Sequence, residues 1–350
     1  MLVSVQYARA LAAILVVFAH LAGFEAFRAL TSTEFGGMGV DIFFVISGFI
    51  MWETSKAQRP AEFFRRRILR IVPAYWFYTS LLVALAAAAP RLTPNVQFDL
   101  KALLGSYFFV PYTNFRGETN PILLQGWTLN FEMYFYLIFA LSLFIADRLR
   151  RFIFVASVFI TSVILGSKIS SSIAVLMQVT SPMLLEFVLG MLLSASIGHF
   201  KTTIANSVVM VSIAIALLFL AGMSDFPGYL RPVYYGLPAV TLLWGMVGLE
   251  PCLSKSPSQI LLAVGDSSYS LYLAHPFVLS AIHILINGPF RTYTGIQGGA
   301  LSLVFGLVAL ATSCAVGYVS FCLIEKPTAS FFGGLFSRKR NRPAAVRTAD

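Results

Sequence analysis

Ten apolar runs dominate this chain, near residues 4–24, 36–54, 70–89, 122–146, 151–167, 177–197, 203–223, 231–249, 262–287 and 299–324. Each is long enough, or nearly so, to cross a hydrocarbon core of about 30 Å. In lipid every backbone N–H and C=O must find its partner within the protein, so only helices and closed barrels can span. The runs are far longer than the roughly 10-residue alternating strands of a barrel. The expected class is therefore all-α, a polytopic transmembrane helical bundle of about ten spans. Composition agrees. The chain is 58% hydrophobic and 11% charged, against about 45–50% and about 25% in soluble domains. One bundle can use the whole length, so a single transmembrane domain is expected over residues 1–330. Residues 331–350 read as a basic, disordered cytoplasmic tail. The stretch FDLKALLGSYFFVPY, residues 98–112, is too short to span and is expected at the interface or as a re-entrant segment.

The opening MLVSVQYAR lacks a basic leader and a small-residue cleavage site, so the first run reads as a retained span. The three cysteines, Cys252, Cys314 and Cys322, have no metal-type spacing and form no CxxC pair. No metal site is expected. The net charge of +10 could suggest nucleic acid, but in a membrane protein basic residues collect in cytoplasmic loops. With the N-terminus inside, 17 of the 25 Lys and Arg residues fall on the cytoplasmic side and 7 on the other. Both termini are then cytoplasmic, and no nucleic-acid partner is expected.

Ionisable groups at membrane depth are costly and usually functional, which makes the candidate list short. Arg9 and His20 lie eleven residues apart in the first run. At 100° per residue they fall within about 20° of one helix face, roughly 16 Å apart along the axis. The alternatives are a snorkelling Arg9 and a structural interhelical hydrogen bond from His20. The second run carries Asp41, expected at the depth of His20, where a carboxylate can orient an imidazole and stabilise its cation. It can equally complement a helix dipole. Gly36, Gly37, Gly39 and Gly48 allow close backbone approach. In FFRRRILRIVPAYW, Arg65, Arg66, Arg67 and Arg70 gather at the cytoplasmic start of the third run. Guanidinium forks suit phosphates, so a cytosolic phosphorylated ligand such as coenzyme A can dock there beside Arg9; positive-inside topology also accounts for them. Glu132, in QGWTLNFEMYFYL, falls near the midplane, flanked by Trp127, Tyr134 and Tyr136. These aromatics suit a sugar- or pantetheine-sized cavity or ordinary packing. GDSSYSLYLAHPF, residues 265–277, opens the ninth run and carries Tyr272 and His275.

Together these blocks, with the terminal EKP at 325–327, resemble acyltransferase family 3, the membrane-embedded O-acyltransferases of glycans and small molecules. The most specific element is the RX10H pattern of Arg9 and His20, and the six blocks occur in the family's order over nearly the whole chain. The opening VQYARALAA is similar to the exopolysaccharide O-acetyltransferase branch. The resemblance implies an acyl-CoA donor, acetyl-CoA first, with no permanently bound cofactor. It implies a glycan or lipid-linked glycan acceptor, membrane lipids and polysaccharide synthesis or export machinery as partners, and a bacterial cytoplasmic (inner) membrane location. It also implies that His20 and Arg9 are essential and that the arginine block lies near the coenzyme A site.

The expected mechanism makes His20 the general base or transient acyl carrier, oriented by Asp41. Arg9, Arg65, Arg66, Arg67 and Arg70 bind the donor's phosphates, and Glu132, Trp127 and Tyr272 serve the acceptor. Two other classes fit buried charge in ten spans. One is a proton-coupled transporter or lipid-linked glycan flippase; the other is an assembly scaffold for a polysaccharide synthase.

Overall fold

The computed structural model describes residues 2–23, 27, 33–56, 58–94, 96–168, 172–199, 202–286 and 299–337, and every regular element among them is helical. The principal helices are α1 (Val3–Ala19), α2 (Thr33–Thr54), α3 (Pro60–Ala88), α4 (Leu100–Tyr107), α5 (Gly126–Ser142), α6 (Arg148–Gly166) and α7 (Leu184–Ser196). They continue with α8 (Ile204–Gly222), α9 (Leu237–Gly248), α10 (Gln259–Asp266), α11 (Ser268–Leu285), α12 (Gly299–Ser320) and α13 (Lys326–Ser337). Helix starts follow local chemistry. Asp99, Asp147, Thr203 and Ser258 each accept a backbone N–H three residues on, satisfying a donor that the helix leaves orphaned. Pro60 stands at the first position of α3, where its missing N–H costs nothing.

Seven segments are long and apolar enough to cross a membrane: Gly37–Thr54, Pro60–Ala88, Arg148–Gly166, Ala174–Ser196, Ile204–Gly222, Ser268–Leu285 and Ser302–Phe331. The other three expected runs are helical but shorter. α1 and α5 have 17 residues each, and α9 is preceded by a wider turn over Pro232–Gly236. The outer helices present Val208, Val209, Ile213 and Phe219 of α8, and Leu303, Val304 and Leu307 of α12, to their surroundings. Exposed apolar residues on this scale suit lipid, not water.

Several boundaries differ from the sequence reading. The first run is not helical to residue 24: α1 stops at Ala19 and a tight turn over His20–Gly23 follows. The sixth run is broken between Ala174–Val179 and α7, and the ninth between α10 and α11 at Ser267. Residues 98–112 contain only the eight-residue α4. The domain boundary drawn at residue 330 falls inside α13, so residues 331–337 continue that helix. The rest of the expected tail, 338–350, lies outside the described residues, as do Arg28 and Lys201.

The centre of the bundle is α2, which packs on α1, α7 and α9. Its span is 67% buried, against 22% for α6 and α8. The α2–α7 crossing depends on two glycines. A Cβ at Gly48 would overlap the carbonyl oxygen of Phe187, and one at Gly190 that of Val45, so the two backbones touch. The interhelical core is aromatic, with Phe44 and Phe135 both stacked on Phe187.

The start of α1 is held from a distance. The Glu250 carboxylate accepts the N–H groups of Val3 (3.0 Å) and Ser4 (2.7 Å), occupying the anion-binding end of the helix dipole. The hydroxyl of Tyr7 accepts the N–H of Ser258. Both contacts come from the stretch before α10, so α1 is anchored to a segment some 250 residues away in the chain before any membrane packing is considered.

Candidate active site

Helical periodicity brings five helices to one cavity. Along α2, Val40, Phe43, Phe44, Ser47, Ile50 and Met51 recur every three or four residues and so share a face. Thr128, Leu129, Glu132 and Tyr136 do the same on α5, Arg67, Arg70 and Ile71 on α3, and Ser268, Tyr269 and Tyr272 on α11. Arg9 of α1 completes the wall, and the cavity has a volume of about 110 Å³. Its polar groups are three guanidinium ions, one carboxylate and several hydroxyls; the rest is aliphatic and aromatic, as a site for a small ligand requires.

Arg9 does not snorkel. It is buried and hydrogen-bonded inside the bundle, donating to Gln6 Oε1 at 3.0 Å and Ser268 Oγ at 2.8 Å. Gln6 in turn donates through Nε2 to Asp266. Asp266 thereby braces the Arg9 network, and Ser267, the N-cap residue of α11, makes no side-chain cap bond: its hydroxyl donates back to the Ala263 carbonyl at 2.7 Å. Glu325, the acid of the EKP segment, is buried, accepts from Ser270 at 2.7 Å and lies within electrostatic reach of Arg9 and Arg70.

The arginine block divides. Arg67 and Arg70 line the cavity, whereas Arg65 and Arg66 are exposed, with Arg66 paired to Glu62 one turn back at 2.5 Å. Glu132 lines the same cavity, accepts from the Ser47 hydroxyl and lies within electrostatic reach of Arg67 and Arg70. Tyr272 is fixed by its hydroxyl, which donates to the Gln125 carbonyl at 3.2 Å and meets the Thr128 hydroxyl at 2.8 Å. Trp127 is only half-buried, sits edge-on to Phe131 and does not line the cavity.

His20 and Asp41 are not brought together. Both Asp41 oxygens are taken by Arg231, at 2.8 Å to Nε and 2.8 Å to Nη2. The same guanidinium lies over the Tyr235 ring at 5.3 Å, and the buried Glu186 sits beside the pair. Asp41 therefore braces α2 against the turn before α9 and does not orient His20. The imidazole of His20 is exposed, its Nδ1 lies 2.8 Å from the Val16 carbonyl, and its ring meets that of His275 at 4.9 Å. The sequence reading missed Arg231, counted only as a loop cation, and gave His275 no role. Gln6 carried a usable signal: it lies three residues before Arg9, on the same helix face.

A cationic cavity within a bundle that has seven segments long and apolar enough to cross a membrane defines an integral, multi-pass membrane protein. Residues 2–321 match the family model described as an acyltransferase domain, and this chain belongs to that family, acyltransferase family 3. It is 37% identical over 300 residues to the exopolysaccharide production protein ExoZ of Rhizobium meliloti (strain 1021), covering 83% of this chain and 89% of that one. It is 24% identical over 344 residues to the acyltransferase MdmB of Streptomyces mycarofaciens, covering 90% and 84%. With the O-acetyltransferase OatA of Staphylococcus aureus (strain NCTC 8325 / PS 47) it shares 25% identity over 331 residues, covering 83% of this chain but 52% of that protein. No solved structure matches the chain. The protein is a membrane acyltransferase, and membership of this family weighs against the carrier and scaffold readings.

Proposed function

We propose that the protein transfers an acyl group, acetyl first, from cytosolic acyl-CoA to a hydroxyl of an exported or cell-surface glycan, free or lipid-linked, in the bacterial cytoplasmic membrane. The observation that carries this reading is the convergence of Arg9, Arg67 and Arg70 on one cavity inside an acyltransferase bundle. Guanidinium groups held in a partly dry site are suited to phosphates, and coenzyme A carries three. The glycan acceptor follows from likeness to an exopolysaccharide production protein and to an O-acetyltransferase.

In this reading Arg67 and Arg70 receive the donor's phosphates, and Arg9, locked by Gln6 and Ser268, fixes its depth. Phe43, Phe44 and Tyr272 flank the uncharged arm. His20 acts as general base, or as transient acyl carrier, at the far end of α1. The acceptor hydroxyl loses its proton to His20 Nε2 as its oxygen bonds to the acyl carbon. The C–S bond then breaks with its electron pair on sulfur, and the sulfur takes the proton back from His20. A base of this kind contributes roughly 10²–10⁴-fold to rate. Glu132 balances the cationic cavity and, with Tyr272, contacts the acceptor side.

The test uses isotope-labelled acetyl-CoA with membranes holding wild type or His20→Ala, tracking label into polysaccharide and lipid-linked glycan. Label in one glycan fraction with wild type alone is expected. Equal labelling by His20→Ala would remove His20 from the chemistry. Intact acetyl-CoA in membranes of the native host would overturn the donor assignment.

A further inference from the structure

A groove runs along the outside of the bundle, apart from the arginine cavity. Trp76 and the two residues one and two turns before it supply the α3 wall, and Asn130, Met133 and Tyr134 the α5 wall, on faces of both helices turned away from the cavity. Residues 107–111 and the short helix Ala174–Val179 close the sides. The rim is open: Phe108, Leu137 and Val175 are exposed. The volume is about 520 Å³, within the roughly 300–1,000 Å³ of small-ligand sites. Among the described residues no acidic or basic side chain lines it, so whatever it holds is uncharged where the two touch. Two carboxamides in the walls lack partners. Asn130 is 5% exposed, and its side chain makes no hydrogen bond among the described residues. Nε2 of Gln178 is buried with no hydrogen-bond partner among them. A bare amide in an apolar wall is a cost to the fold that calls for a reason.

The aromatic walls are fixed in place. Trp76 donates from Nε1 to the Tyr107 carbonyl at 2.8 Å, and the Tyr107 hydroxyl lies 2.6 Å from that of Ser80. α4 ends with the N–H of Val110 on the Gly105 carbonyl at 2.9 Å and that of Phe109 on the Ser106 carbonyl at 3.5 Å. The left-handed residue such a helix end requires is ordinarily glycine. Here it is Phe109, at φ 58°, whose ring lines the groove and packs on Tyr75 at 4.9 Å. A bulky side chain is held there against its backbone preference. An interfacial aromatic belt accounts for Trp76 and Tyr107, but not for the bare amides. We propose that this groove is a sugar subsite, taking one neutral sugar unit of the acceptor away from the hydroxyl that is acylated. A sugar ring has a C–H face that lies on an aromatic ring and a rim of hydroxyls that both donate and accept, and a carboxamide does both in return. An acyl chain would lie on the same rings but leave both amides bare, and a phosphate would find no cation. The inference rests on the transfer reading given above, which supplies the glycan. Because α3 and α5 stand between groove and cavity, the acceptor it describes is an oligomer that reaches both, not a single sugar.

The test uses full-length protein in lipid nanodiscs and oligosaccharide cut from the native host's exopolysaccharide and stripped of acyl groups, with binding read by saturation-transfer NMR. Asn130→Leu and Gln178→Met keep the side chain's shape and remove its amide. Each should weaken oligosaccharide binding about tenfold or more and raise KM for the oligosaccharide to match, with KM for acetyl-CoA changed less than about twofold. Neither should lower the melting transition, because the group removed has no partner in the fold. A lowered transition with unchanged binding would make the amides structural and overturn the proposal. Wild type that binds no oligosaccharide tighter than about 1 mM would overturn it too. Phospholipid that co-purifies equally with wild type and Asn130→Leu, in protein that takes no sugar, would give the groove to an acyl chain. If one variant does not fold, the other decides. Binding is read without transfer, so the two readings fail separately. Wild type that binds the oligosaccharide through both amides but moves no acetyl group onto it would count against the functional reading and leave the subsite standing.

Discussion

Removing Arg231 should damage the protein far more than removing either acid beside it. The Asp41 side chain is fully buried and that of Arg231 is 19% exposed, and the guanidinium holds both Asp41 oxygens. In Arg231→Leu the Asp41 carboxylate loses its only cationic partner among the described residues while Glu186 still lies next to it. Breaking a buried pair by deleting one member costs roughly 3–5 kcal/mol, because the desolvated survivor is left uncompensated. Loss of the contact with Tyr235 adds about 0.5–1 kcal/mol at a partly exposed site. At roughly 2–4 °C per kcal/mol for chains of 150–250 residues, with smaller shifts in longer ones, the melting transition should fall by about 5–10 °C. Asp41→Asn should lose less, since Glu186 remains beside Arg231 as a carboxyl partner, and Glu186→Gln less still. The double substitution Asp41→Asn/Arg231→Gln puts two neutral amides where the charges stood and should regain at least half of the fall. The assay is intrinsic-fluorescence melting in one detergent at one scan rate, because unfolding of such proteins is commonly irreversible. An Arg231→Leu transition within about 2 °C of wild type would refute the reasoning, and so would a double variant that adds the two single losses.

The divided arginine block predicts that Arg67→Ala and Arg70→Ala each raise KM for acyl-CoA about tenfold or more, whereas Arg66→Ala, which loses only an exposed pair with Glu62, changes it less than about twofold; steady-state kinetics with purified protein decides. Gly190→Ala should lower the melting transition in the same assay, since its methyl group meets the Val45 carbonyl and overpacking costs about 1–3 kcal/mol. Burial pushes the Glu250 carboxyl up, but the Ser4 side chain and the N–H groups of Ser4 and Val3 outweigh it, and the net position is below the ordinary 4.5. A lowered value in the folded state means that the anchor is fully present above pH 4.5 and is lost as pH falls through the folded value. Hydrogen exchange at Val3 and Ser4 should therefore accelerate on acidification in wild type, and already be fast at neutral pH in Glu250→Gln.

Much of the bundle was legible because apolar length and helical period are local properties. The face that joins Arg9 to the cavity, and the i, i+4 row through Thr128, Glu132 and Tyr136, can be read from spacing alone. The choice of partner cannot. Asp41 and His20 were matched by expected depth, yet a guanidinium 190 residues further on takes both carboxylate oxygens, and no periodicity reports a contact of that range. The same limit hid Glu250, whose role as an anchor for α1 depends on the short helical segment Glu250–Leu253 lying against the start of that helix. Arg65 and Arg66 were grouped with Arg67 and Arg70 because charge density along the chain does not show which side of α3 faces inward. The wall contributed by α5 and α11 makes that choice.

The end of α1 at Ala19 gives that helix the character of a calliper. One jaw is Arg9, clamped by Gln6 and Ser268; the other is His20, set on the first residue beyond the helix. One inserted residue between them swings the jaws about 100° out of line and opens them by only about 1.5 Å, whereas four restore the alignment within about 40° and open them by about 6 Å. Under the proposed function, a donor gripped at its phosphates and cut at its thioester would be gauged along its length by the backbone rise of one short helix. Under the same proposal, selection among donors by reach would belong to α1, and selection by the bulk of the acyl group to whatever surrounds His20.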